Sequence, residues 1–291
     1  MQEILKKLRK YEIRIRKVIN SQMQGDFHSL FKGSGLEFSD VRDYLYGDDI
    51  RRIDWNASAK GQGTFVKEFQ EEKEQTVFFV IDVSASQELG SQQSKLRIAQ
   101  EICGVLAISA AKEKNDIGLI CFSEQKERYM KPQKGEKYAY EMILNLFALE
   151  PQSAKTDISK MIIYTLQTIK RKSVIILLSD FIDENYEHHL KALSKKHDLV
   201  IIHLYDEKEI SLPRLGIVPV YDKETKRTLW LNTSSKAFRQ MQIQRFETIM
   251  QNLEEVALKS NANYLAIDTH EDFVPQLIEL FRKRNKQRLK K

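Results

Sequence analysis

Hydrophobic and polar positions alternate between two periods along this chain, and the alternation outlines an α/β protein. The run Val77-Phe78-Phe79-Val80-Ile81 is apolar without interruption and rich in β-branched and aromatic residues, as in a parallel strand covered on both faces. Similar short runs recur at 116–122, 173–179, 199–205 and 264–267. Helical patterns separate them, at 93–112, 136–148, Ile158–Lys170, 185–197, 235–259 and 272–290, with a further short strand near 127–131. Strands alternating with helices predict βαβ units with right-handed crossovers. The expected fold is therefore Rossmann-like, an open, mostly parallel sheet flanked by helices. Two segments break the rhythm. Gly216–Tyr221 and Arg227–Asn232 flank Asp222-Lys-Glu-Thr-Lys226 and predict a hairpin insertion at 213–233. Upstream, apolar positions Ile4, Leu8, Tyr11, Ile15 and Val18/Ile19 predict an amphipathic helix over Met1–Met23. A glycine-rich stretch and an alternating strand at 64–69 follow it. The expected organisation is an N-terminal helix/β extension, 1–75, packing on a core domain, 76–291.

Composition changes little in this picture. Apolar residues make up 42% and charged residues 30%, enough to build a core. No stretch approaches the ~18–20 uninterrupted apolar residues of a membrane helix, and Met1–Lys17 lacks the apolar centre of a signal peptide, so the expected location is cytoplasmic. Cys103 and Cys121 have neither metal-binding nor redox spacing and are expected as buried free thiols. Net charge is +6, concentrated in the tails, which leaves nucleic-acid binding through Lys6–Lys17 and Arg282–Lys291 as one alternative function.

The candidate chemistry begins where the first buried strand ends. Asp82-Val-Ser84-Ala-Ser86 places one carboxylate and two hydroxyls at the carboxyl end of a strand, where open α/β sheets bind ligands. Thr156 lies in a polar loop before a helix, and Asp180 ends a second buried run. Hard oxygen donors of this kind suit Mg²⁺, with Mn²⁺ or Ca²⁺ as variants, and do not suit zinc. In order and placement the set resembles the metal-ion-dependent adhesion site of the von Willebrand factor A family. The resemblance implies that Ser84, Ser86 and Thr156 coordinate a cation and that Asp82 and Asp180 act beside it. The family usually has Gly after the last acid, where this chain has Phe181.

The block Gly47-Asp48-Asp49-Ile50-Arg51-Arg52-Ile53-Asp54-Trp55 precedes this domain. Together with the metal-site pattern it resembles domain-of-unknown-function family 58 over roughly 25–182. That resemblance implies a partner of the MoxR-type AAA+ ATPase class. Asp43, Asp48, Asp49 and Asp54, interleaved with Arg42, Arg51 and Arg52, predict an ion-pair network bracing the segment. A docking surface using Tyr44, Tyr46 and Trp55 is the alternative, and Asp157 is a further candidate partner contact.

Enzymatic readings find less support. A haloacid-dehalogenase-type phosphotransferase needs a second acid at position 84, which is Ser. No Walker loop or dinucleotide fingerprint occurs, and the six histidines form no catalytic set. The expectation is a non-enzymatic module whose bound cation receives an Asp or Glu from a protein partner. An Mg²⁺-dependent phosphoester hydrolase remains the alternative from another class.

Overall fold

The strongest determinant of the fold is the strand Thr76–Asp82 (β3), buried from Val77 onward. A strand with no polar face must be covered on both sides, and here helices do so. In the computed structural model, described over 36–60, 63–71, 75–88, 93–210, 213–222 and 226–288, two compact units are distinguished, drawn from 31–75 and from 76–291. The amphipathic segment expected at Met1–Met23 lies outside the described residues.

The larger unit holds a six-stranded sheet. Its strands after β3 are Asp116–Phe122 (β4), Lys126–Gln133 (β5), Val174–Ser179 (β6), Asp198–Tyr205 (β7) and, last, Asn263–Asp268 (β10). The order across the sheet is β10-β7-β6-β3-β4-β5. All neighbours are parallel except β5, which returns antiparallel along the β4 edge. The chain thus leaves β3 on one side for β4 and β5, then comes back to build β6, β7 and β10 on the other. That reversal is a topological switch point, and it opens a crevice between the carboxyl ends of β3 and β6.

The crossover helix Lys95–Lys112 is the most deeply buried, capped by Ser94, whose side chain accepts from the Arg97 N–H. Its Ala, Gly and Ser positions let it lie close to the sheet. Glu136–Phe147 and Ile158–Thr168 precede β6, Glu187–Lys196 joins β6 to β7, and Lys236–Ser260 and Phe273–Arg288 flank β10. Gly118 of β4 sits opposite Phe78 of β3, and a Cβ there would lie 2.5 Å from the Phe78 ring. Its lack of a side chain is therefore a packing requirement.

The insertion forms a two-stranded hairpin, Ile217–Asp222 (β8) with Arg227–Asn232 (β9). Its base is tied by Thr233, which donates from N and Oγ1 to Gly216 O at 2.9 and 3.1 Å. Trp230 at its centre is 69% exposed.

The smaller unit pairs Leu36–Asp43 (β1) with Phe65–Glu71 (β2) in antiparallel register. A short 3-10 turn, Ile50–Arg52, and the helix Trp55–Lys60 lie between them. The expected charge network resolves here into distinct tasks. Arg42 forks onto Asp48 through Nη1 and Nη2 at 2.7 and 2.8 Å. Asp49 accepts from the Arg51 N–H, and Asp54 accepts from the N–H groups of Asn56 and Ala57, so both cap turns. Short acids before a helical turn satisfy orphan backbone donors locally.

Candidate functional site

Asp82 is the last residue of β3 and almost wholly buried. Both carboxylate oxygens are engaged. Oδ1 accepts from the Ser84 N–H at 3.0 Å, and Oδ2 accepts from Ser179 Oγ at 2.8 Å and from Gln87 Nε2 at 3.3 Å. Burial pushes its carboxyl up to about 7, with the nearby Asp180 charge adding to the effect against the hydrogen bonds from Ser84 and Ser179.

The chain turns sharply after Asp82 into a 3-10 segment, Ala85–Glu88. That turn brings the Ser84 and Ser86 hydroxyls to 3.0 Å from each other. Thr156 lies half-buried on the neighbouring loop. The Ala85 N–H donates to Ala154 O at 2.9 Å and joins that loop to the turn. The loop is also held from β5. Glu127 accepts from Gln152 N, Ser153 N and Ser123 Oγ. Partial burial alone would raise Glu127, but these hydrogen bonds keep its carboxyl below the ordinary value.

Asp180 follows β6, next to β3, and is buried. Its Oδ1 accepts from the Ile182 N–H at 3.3 Å. Its Oδ2 receives the ammonium of Lys95 at 2.8 Å, and the same Nζ lies 2.8 Å from Glu209 Oε2. Lys95 is completely buried, and burial would lower its ammonium, yet Asp180 and Glu209 hold it above the ordinary value. Burial raises Glu209 in turn, against the pull of Lys95.

Four of the expected metal-site residues, Asp82, Ser84, Ser86 and Asp180, thus meet at one sheet edge, with Thr156 on an adjoining loop. Four further participants carry no motif signature: Ser179, Gln87, Lys95 and Glu209. Ser179 alone had a usable signal, since a hydroxyl at the end of β6 faces the end of β3 in any parallel pairing of the two. Asp157 caps the helix Ile158–Thr168, accepting from the Lys160 N–H and pairing with its ammonium at 2.9 Å. Tyr44, Tyr46 and Trp55 belong to the smaller unit, where Tyr46 is fully exposed, Trp55 is 67% exposed and Tyr44 is half-buried.

The donors gathered here are hard oxygens, the kind a small cation would take. Among the described residues no three His, Cys, Asp or Glu side chains converge on a metal position, so hydroxyls would have to supply part of the shell. Ser84 and Ser86 are placed to do so. Asp82, Asp180 and Glu209, with Asp206 beside Glu209, gather around the Lys95 ammonium in this cluster. Buried Gln87 Oε1 and Glu209 Oε1 have no hydrogen-bond partner among the described residues.

The model of the family described as protein of unknown function DUF58 matches residues 40–252. The chain belongs to the DUF58 family. Within reach of this DUF58 chain, the uncharacterized protein Rv1480 of Mycobacterium tuberculosis is 23% identical over 222 residues, covering 75% of this chain and 70% of the relative. Among solved structures, an aerotolerance-related membrane protein from Bacteroides fragilis is 14% identical, with a TM-score of 0.50 over 72% of this chain and 98% of that one. The SpRpn10 VWA domain is 11% identical, with a TM-score of 0.40 over 72% and 95% of the two chains. The DUF58 chain shares an α/β fold with the Bacteroides fragilis protein, and among its described residues no helix is long and apolar enough to cross a membrane.

Proposed function

We propose that this DUF58 protein is a non-enzymatic interaction module whose sheet-edge site holds a divalent cation, Mg²⁺ by preference, and binds an acidic residue of a protein partner. The convergence of the Ser84 and Ser86 hydroxyls above a buried Asp82 carries this reading. Ser84, Ser86 and Thr156 would offer hydroxyl oxygens to the cation, with Asp82 and Asp180 compensating its charge. A bound Mg²⁺ supplies a coordination position for a carboxylate oxygen from outside. The chain's own task is to hold that position open. Ser179 and Gln87 orient Asp82 from the side of the sheet, and Glu127 steadies the loop bearing Thr156.

Engagement of both Asp82 oxygens within the fold supports a holding role over a nucleophilic one. The adjoining cleft offers apolar contact from Ile182, Tyr205 and Phe246, but its charges are Asp180, Asp206 and Glu209 against Arg245, so attraction for an acidic residue rests on the cation. The partner we favour is a MoxR-type AAA+ ATPase in the cytoplasm, with this chain as its adaptor in protein or complex maturation.

The test is a pull-down from native lysate with Mg²⁺ and with EDTA, comparing wild type and Ser84→Ala/Ser86→Ala. The expected result is a partner, identified by mass spectrometry, that is retained only with Mg²⁺ and intact hydroxyls. A partner set indifferent to both would overturn the reading.

A further inference from the structure

Lys95 sits inside the protein with its Nζ shared between two acids, 2.8 Å from Asp180 Oδ2 and 2.8 Å from Glu209 Oε2. The acids come from different elements. Asp180 follows the central strand β6, while Glu209 lies on the short helix Glu207–Ile210 after β7. Lys95 itself opens the deeply buried helix Lys95–Lys112, so its ammonium is fixed by packing as well as by charge. One positive charge therefore already sits against the Asp180 carboxylate, whose charge a cation at this site would also draw on.

We propose that Lys95 sets the cation affinity of this site, acting as a resident charge that shares Asp180 with a divalent ion, while Glu209 counterbalances it from the other side. This inference rests on the cation-site reading above. Fixed charges a few ångströms apart interact far more strongly in a protein interior than in water. A neighbouring ammonium therefore weakens divalent-ion binding, and a neighbouring carboxylate strengthens it. Lys95 and Glu209 must then act with opposite signs. Two residues that merely kept the cluster folded would act with the same sign, because losing either would loosen Asp180.

The experiment is calorimetric titration of Mg²⁺ and Mn²⁺ into the full chain as wild type, Lys95→Gln, Glu209→Gln and the double variant. Circular dichroism confirms that each variant is folded. Lys95→Gln should bind at least about tenfold more tightly and Glu209→Gln at least about tenfold more weakly, with the double variant within about threefold of wild type. Removing Lys95 alone strands buried Asp180 and half-buried Glu209 without their counterion, which is strongly destabilising. Should that variant not fold, the remaining pair decides, because the double variant must bind more tightly than Glu209→Gln. Unchanged or weaker binding on removing Lys95, or unchanged binding on removing Glu209, overturns the proposal. Ser84→Ala/Ser86→Ala separates the two levels. Binding that this pair abolishes but Lys95 and Glu209 do not tune leaves the site standing and sinks this inference alone. No binding in any variant, or binding indifferent to the serine pair, sinks the site and the inference together.

Discussion

Phe181 shows how one residue can oppose its own backbone and still be kept. Its φ of +54° lies in the left-handed region, which costs an L-residue about 1–2 kcal/mol relative to glycine. The side chain is completely buried, with its ring 5.7 Å from Tyr186 and edge-on to His203 at 5.9 Å. Truncating a buried aromatic costs about 3–5 kcal/mol, so packing outweighs the strain. Phe181→Gly is accordingly expected to lower stability by about 2 kcal/mol, measured by urea unfolding, although glycine suits the backbone better. A stabilised variant would show that strain dominates at this turn. The same scale marks what the sequence concealed. The placement of Asp82, Ser84, Ser86 and Asp180 was legible because they end or directly follow two buried strands. Lys95 was not, because a lysine at the start of a helix reads as solvated. Only the tertiary fold places Asp180 and Glu209 around it.

Elements were far more legible than side-chain partners. The uninterrupted run 77–81 and its counterparts at 174–178 and 199–204 could hardly be accommodated except as covered parallel strands, and they are β3, β6 and β7. The hairpin strands also emerged, marked by the polar turn between two apolar runs. In the acid-rich block, Asp49 and Asp54 also cap turns through backbone N–H groups, a task that composition does not reveal. At this scale the pairing of β3 with β4 makes a sharp demand. Gly118 is pressed against the Phe78 ring, and both strands are buried around them. Gly118→Ala should therefore destabilise the domain by about 1–3 kcal/mol, since the core must shift to admit a methyl group. A thermal midpoint equal to that of wild type would mean that the Phe78 ring yields freely.

For the molecule as a whole, buried groups pull stability in opposite directions with pH: the raised Asp82 carboxyl favours acid and the lowered His197 disfavours it. His197 is buried at the end of the helix Glu187–Lys196, and neither ring nitrogen has a hydrogen-bond partner among the described residues. Burial, with help from Lys196, lowers its pKa to about 4 from the ordinary 6.5. The folded protein thus keeps the ring neutral where the unfolded chain takes up a proton. Stability from this source is complete above about pH 7 and declines as pH falls from about 6.5 towards 4. Between pH 7.5 and 5 the urea midpoint of wild type should lose ground relative to that of His197→Leu, with the opposing contribution of the raised Asp82 carboxyl common to both proteins. Parallel change in the two proteins would assign the pH dependence to other groups.

The switch point between β3 and β6 also governs when the site can exist during synthesis. Asp82 and the Ser179 hydroxyl that holds it are 97 positions apart, and Val77 pairs with Val174 across a comparable interval. Contacts of such long range form slowly, because the chain between them must be ordered first. A ribosome that has just released β3 presents a bare apolar strand edge and an acid without its hydroxyl partner. Both stay so until β6 emerges and docks. The interval is a window for aggregation and for chaperone capture, and it closes with the same event that completes the site.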